Sequence, residues 1–249
     1  MAGNVNTPGA SVASRVFAIL DCFEPANPEL SLTQLADRSG LPLSTARRLI
    51  GELVAWGGLE RLVDNRYRVG LRLWQVGILA PQQRGLREAA APLIHDLSTA
   101  TGETVQLVIL DGREALCVEK ASAATAVANR TEVGGRLPLH ATAVGKCLLA
   151  HSPQQLLVDL VADGLLRHTS YTLVQPGRLV NELRDVRRHG VAFSREEMSL
   201  GAVSVAAPVL ASGGRLRGAI GIVAHSNSRI DRFGPAVRTA ALALSRQVS

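Results

Sequence analysis

A chain of 249 residues exceeds the usual span of one hydrophobic core, so two domains are expected. Hydrophobic residues supply 47% and charged residues 19%, which excludes bulk disorder, and apolar runs such as Val203 to Leu210 are far too short to span a bilayer. The formal net charge of +6 rests on 27 basic side chains, of which only Lys120 and Lys146 are lysines, an excess that suits a polyanionic partner.

Residues 1–10 read as a loose polar tail, with no basic segment followed by an apolar core; this excludes a secretory signal and makes the cytoplasm the expected location. From Ser11 to Phe23 apolar residues recur at helical spacing, and Pro25 and Pro28 end that helix. Glu29 to Leu32 makes a short extended link. Ser31-Leu32-Thr33-Gln34 matches a capping box, so a second helix should run to about Ser39 and stop at Gly40. Pro42 suits the first turn of a third helix reaching about Trp56. That helix would bury Ala46, Leu49, Ile50 and Leu53 and turn Ser44, Thr45, Arg47, Arg48 and Gly51 outward. Leu59 to Val63 and Arg66 to Val69, joined at Asp64-Asn65, predict a β-hairpin. Three helices and a hairpin describe a winged helix-turn-helix over residues 11–70. Residues 71–101 read as a helical connector interrupted at Pro81 and Gly85.

Residues 102–249 change character. Val105 to Leu110 and Ala115 to Lys120 are apolar strands joined by an Asp111-Gly112 turn. Ser152-Pro153-Gln154-Gln155 matches a second capping box, opening a helix to about Asp163. Another helix from Leu179 to His189 ends at Gly190. Val191 to Ser194, Val203 to Leu210 and Leu216 to Val223 read as strands, and Arg229 to Val248 as a closing helix. Antiparallel hairpins with helices between them make this an α+β sensor-like domain.

In a helix-turn-helix the second helix presents its early residues to base edges. Ser44 and Thr45 suit phosphate or base, and Arg47 and Arg48 suit guanine O6 and N7. Between Leu41 and Arg72 six arginines face Glu52, Glu60 and Asp64, and Arg66 at the wing tip is placed for phosphate or the minor groove. Gly51 costs about 1 kcal/mol relative to alanine inside a helix, and a close approach to DNA or to the first helix would each explain it.

Enzymatic chemistry finds no foothold. A phosphate-binding loop ending at Gly145-Lys146 needs glycine where His140 stands and serine or threonine where Cys147 stands. No Gly-x-Ser-x-Gly elbow occurs. His140 and Cys147 read as packing in a pocket wall rather than a catalytic pair. Cys22, Cys117 and Cys147 are scattered without Cys-x-x-Cys spacing, and the histidines are not spaced as ligands, so neither disulfide, metal nor other cofactor is expected.

Four blocks in order, SLTQLADRSGLPLSTARRLI (31–50), RLPLHATAVGKCLLA (136–150), GVAFSREE (190–197) with Gly201, and VAAPV (205–209), give the chain a resemblance to the IclR (isocitrate-lyase regulator) family of bacterial transcription factors. The resemblance covers about residues 11 to 245. It implies a ligand-responsive regulator, a repressor by expectation, with a GAF-like C-terminal domain that binds a small effector. It also implies homodimers, often pairing to tetramers, on palindromic double-stranded operators. The effector pocket implied by the family comprises Ala143 and Val144, Asn129 and Leu137, Ser194, and Ser204, Gly221 and Val223. Members that take small hydrophilic acids tend to carry hydroxyl or thiol groups on the later strands. Gly221 and Val223 are apolar here, which leans toward a larger or more apolar acid, aromatic acids included. If a helix starts between Thr142 and Gly145, its free N–H groups suit a carboxylate. Lys146 would either add charge there or point away to a carboxylate such as Glu196 or Glu197.

Overall fold

The computed structural model describes residues 11–124, 126 and 131–248. The chain separates into two compact units, Met1–Arg84 and Gly85–Ser249.

The first unit contains α1 (Val12–Leu20), β1 (Glu29–Ser31), α2 (Leu32–Ser39), α3 (Leu43–Trp56), β2 (Leu59–Arg61), β3 (Arg66–Val69) and α4 (Leu71–Gly77). The capping box is present: the Gln34 N–H donates to Ser31 Oγ at 3.2 Å, and the Ser31 N–H to Gln34 Oε1 at 2.9 Å. Gly40 closes α2 at φ 65°, a left-handed conformation that strains any other residue, and so lets α3 turn back over α2. Ile19, Leu30, Leu35, Leu49, Ile50 and Tyr67 form the core beneath them. The extended link expected over Glu29 to Leu32 is a paired strand. It gives a three-stranded sheet of order β1-β3-β2, because Leu30 pairs with Tyr67 and both side chains bury against α2 and α3. The wing hairpin is shorter than its apolar alternation suggested. The Leu62 N–H donates to the Arg66 carbonyl at 2.8 Å and the Asn65 N–H to that of Leu62 at 3.0 Å, which leaves Val63 fully exposed at the turn.

The division between units falls inside α5 (Pro81–Thr101). Pro81 opens this helix and Gly85 does not interrupt it; Leu86, Ala90 and Ile94, one turn apart, belong to the core of the second unit. There follow β4 (Thr104–Asp111), β5 (Glu114–Ala121), β6 (Arg136–Pro138), α6 (Ala143–Ala150), α7 (Gln154–Asp163), α8 (Pro176–His189), β7 (Ala192–Arg195), β8 (Ala202–Leu210), β9 (Leu216–His225) and α9 (Gly234–Gln247). The strands form one six-stranded antiparallel sheet of order β6-β5-β4-β9-β8-β7. Alternation along each strand divides the apolar side chains between two faces. Val105, Leu107, Val203, Val205, Ile220 and Ile222 pack with α5 and α9. Val108, Cys117, Ala206 and Ala219 pack with α6 and α8. The fold is therefore α+β, a winged helix-turn-helix followed by an antiparallel-sheet domain.

Three local expectations are corrected. Asp111 pairs with Glu114, so the hairpin turn is Gly112-Arg113, one residue later, with Gly112 at φ 60°. The second capping box does not form: the Ser152 hydroxyl donates back to the Leu148 carbonyl at 2.7 Å, and Pro153 stands at the cap position without a side-chain bond. The closing helix begins at Gly234, after a 3-10 turn over Ile230–Phe233. Among the described residues no helix is long and apolar enough to cross a membrane.

Candidate DNA interface and effector site

On α3 the buried residues are Ala46, Leu49, Ile50 and Leu53, and Ser44, Arg47, Arg48 and Gly51 are exposed, with Thr45 half-buried. Arg48 is held by Glu52 at 2.6 Å, one turn along the same exposed face. Among the described residues no carboxylate pairs with Arg47, which leaves its guanidinium uncommitted. The wing is different. Arg66 is clamped by Asp64 at 2.6 Å and by Glu29 of β1 at 2.8 Å, and Arg66 holds the Asp64 carboxyl below its usual range. Arg68 pairs with Glu60 at 2.9 Å, and Arg61 donates to Asn65 Oδ1 at 2.6 Å. A Cβ added at Gly51 would meet nothing within 4 Å, so packing against the first helix is not what calls for glycine there.

In the second unit the opening of α6 faces the sheet. Thr142 caps the helix: its Oγ1 accepts the Gly145 N–H at 3.0 Å and donates to the Pro138 carbonyl at 2.9 Å. A helix start leaves its first amides without intrahelical partners, and this cap takes that of Gly145 and not those of Ala143 and Val144. Residues paired directly across strands share a face. One row across β7, β8, β9 and β4 is Ser194, Ser204, Val223 and Thr104. The next is Ala192, Ala206, Gly221 and Gln106, continued by Lys120 on β5. Ala192 and Ala206 pack in one cluster with Val144 and Leu137, so both rows lie on the α6 side. At Gly221 the approach is close: a Cβ there would sit 2.5 Å from Val144 Cγ1.

Leu137, Ala143, Val144, Ser194, Ser204, Gly221 and Val223 thus come together on this side of the sheet, and Asn129 lies outside the described residues. The Ser194 hydroxyl is already engaged, donating to the Ala141 carbonyl at 3.0 Å and fixing the loop ahead of α6. Sequence reasoning missed Gln106, Thr104 and Lys120. A lone glutamine inside the apolar run from Val105 to Leu110 was the available signal.

Lys146 faces away from this site. Fully buried, its Nζ donates to Glu197 Oε1 at 2.6 Å, Glu182 Oε1 at 2.9 Å and the Phe193 carbonyl at 3.0 Å. Glu197, rather than Glu196, is its main carboxylate; Glu196 Oε1 instead accepts the Gly201 N–H at 2.7 Å. Burial pushes the Glu197 carboxyl up, and the adjacent ammonium pulls it back down.

His140 and Cys147 form no pair. The His140 Nε2 meets the Leu166 carbonyl at 2.9 Å, and burial drives the Cys147 thiol up to about 12. A carbonyl only accepts, so His140 Nε2 carries a proton. Burial also holds the His140 pKa below its ordinary 6.5, so the unfolded chain takes up the second ring proton first on acidification. Stability present above that value is lost as pH falls below it, with a slope of up to about 1.4 kcal/mol per pH unit for one proton. Urea unfolding between pH 7.5 and about 5.5 should show this loss, and His140→Gln should flatten it; an unchanged slope in the variant refutes the assignment. Among the described residues no group of three or more His, Cys, Asp or Glu side chains is arranged to hold a metal ion.

Comparison with known proteins agrees with this geometry. Residues 12–62 match the IclR helix-turn-helix domain, and residues 79–249 match the bacterial transcriptional regulator IclR C-terminal domain. The HTH-type transcriptional regulator XynR of Escherichia coli is 33% identical over 244 residues, 93% of this chain and 94% of that protein. The transcriptional repressor IclR of the same organism is 31% identical over 198 residues, 78% of this chain and 72% of that protein. An IclR homolog from Microbacterium hydrocarbonoxydans, crystallised in complex with 4-hydroxybenzoate, superposes with a TM-score of 0.91 at 29% identity, covering 96% of this chain and 99% of that one. The two domain matches, in this order and over nearly all of the chain, make the protein a member of the IclR family of bacterial transcriptional regulators, with a helix-turn-helix that binds DNA and a C-terminal domain that binds an effector.

Proposed function

We propose that this regulator is a homodimeric repressor that grips a palindromic operator through α3 and releases it when an aromatic monocarboxylate enters the second unit. The observation that carries the ligand class is the opening of α6. Its Ala143 and Val144 amides suit a carboxylate, and the adjoining bed of Leu137, Gly221 and Val223 is apolar with Ser204 beside it. Asn129 joins this set on sequence grounds. A relative of nearly the same length and fold is described with 4-hydroxybenzoate, an acid of this kind. Repression follows the relatives that are named repressors.

Arg47 and Arg48 read guanine edges, Ser44 and Thr45 contact phosphate or base, and Arg66 reaches phosphate or the minor groove once Asp64 and Glu29 yield it. Gly51 leaves room for DNA rather than for protein. Dimer formation is supported by large apolar side chains left exposed on α4, Leu71 and Trp74 among them. Pairing of dimers into tetramers follows the family pattern.

The experiment is operator binding by the full chain at fixed salt, with and without benzoate or 4-hydroxybenzoate. Bound acid at a hundred times its dissociation constant should stabilise the protein by about 2.7 kcal/mol and weaken operator binding. Stabilisation with unchanged operator affinity would sink the switching scheme. Arg48→Ala should lose about 1–3 kcal/mol of sequence discrimination, and Arg66→Ala should weaken specific and random DNA alike.

A further inference from the structure

Gln106 is the one polar residue in the middle of an apolar strand. Its neighbours Val105 and Leu107 pack into the core on the α5 and α9 side, so alternation sends Gln106 to the opposite face. There it lies directly across from Gly221 on β9 and from Lys120 on β5. Gly221 is also the position against which Val144, at the start of α6, closes. Only 4% of Gln106 is exposed, yet its Oε1 is buried with no hydrogen-bond partner. A buried amide oxygen left unpaired is costly, and native proteins seldom tolerate one without a reason. Lys120 makes no hydrogen bond to it; its Nζ turns instead to Glu132 at 2.9 Å. Thr104, in the next row, exchanges its hydroxyl contact with Ser122 at 3.0 Å. The α6 side of the sheet therefore has two unlike poles. Amide donors at Ala143 and Val144 suit an anion, and the Gln106 carbonyl suits a group that donates.

We propose that Gln106 sets the effector preference: the ligand carries, apart from its carboxylate, a hydroxyl whose hydrogen is received by Gln106 Oε1. Hydroxy-substituted aromatic acids are then preferred over the unsubstituted acid and over ethers, which accept but cannot donate. This inference rests on the proposal that the site takes an aromatic acid. Its logic is that of a site built around one buried hydrogen bond, which rejects an analogue lacking the matching group because its own polar atom is then left unpaired.

The test is calorimetric titration of the full chain with benzoate, meta- and para-hydroxybenzoate, and para-methoxybenzoate. At least one hydroxy isomer is expected to bind about tenfold or more tightly than benzoate, with the methoxy acid no better than benzoate. In Gln106→Met the ratio of hydroxy acid to benzoate affinity should collapse to within about twofold, the hydrogen bond being gone. The inference is overturned by equal affinities in the wild type, by a methoxy acid that gains as much as the hydroxy acid, or by a preference that survives Gln106→Met. If that variant does not fold, the hydroxy-against-methoxy comparison in the wild type decides alone. Benzoate binding without a hydroxy preference removes this inference only. Failure of every acid to bind removes the aromatic-acid reading together with it.

Discussion

Lys146→Met is expected to cost the second unit about 3–5 kcal/mol. The ammonium is fully buried and has three oxygen partners, contributed by α8, by β7 and by the loop after β7. Methionine fills nearly the same volume, so the loss is electrostatic rather than a cavity. The Phe193 carbonyl loses its donor, and Glu197 keeps a buried charge with nothing opposite it. Glu182, one-third exposed, is compensated by water. The deficit should depend on pH in a definite direction. Without the ammonium, the Glu197 pKa rises further above its unfolded value of 4.5, so the folded variant binds a proton that the unfolded chain does not. Relative to the wild type, which shares the His140 dependence, the variant therefore regains stability as pH falls from 8 toward about 5.5, and the gap narrows. Glu197→Gln in the same background should recover part of the loss at pH 8, because an amide carries no charge to strand. Chemical denaturation of the three proteins measures all of this, and a deficit that widens on acidification would falsify the assignment.

Gly221→Ala should destabilise the second unit by about 1–3 kcal/mol, although alanine is the smallest side chain that can be added. The new methyl would stand 2.5 Å from Val144 Cγ1, and Val144 is buried at the first turn of α6, where it has little space to retreat. Val144→Ala removes the clashing carbon, so the pair should show a coupling of about 1 kcal/mol or more, with the double variant more stable than the sum of the singles predicts. A strictly additive pair would mean that the helix start does not rest on β9 in solution. Acid binding gives a second readout, since any shift of the α6 opening moves the amides proposed to hold the carboxylate.

Much of the first unit was legible because its signals are local. Ser31 and Gln34 lie three residues apart and cap each other; Gly40 and Gly57 end helices where no other residue fits as easily. The β1 pairing was not legible, since a three-residue strand is defined by distant partners: Tyr67 lies thirty-seven positions along the chain from Leu30. In the second unit five strands showed themselves as apolar runs, but the three-residue β6 (Arg136–Pro138) did not, nor did the roles of single polar residues. Lys146 and Glu197 stand fifty-one positions apart and meet only through the fold. Ser152 illustrates the opposite failure: the right residues at the right spacing, with the hydroxyl spent on the helix behind it rather than on the one ahead.

The two-faced sheet bears on how such regulators diverge. On β8 and β9 the residues at 204, 206, 221 and 223 face α6, and their immediate neighbours 203, 205, 220 and 222 form the support beneath. In the effector site proposed above, a change of ligand would therefore act on every second residue and leave the intervening ones to hold the domain together. Under the proposed site, an exchange at 204 or 223 would alter the ligand's surroundings without touching the opposite side, whereas one at Gly221 would also press on Val144.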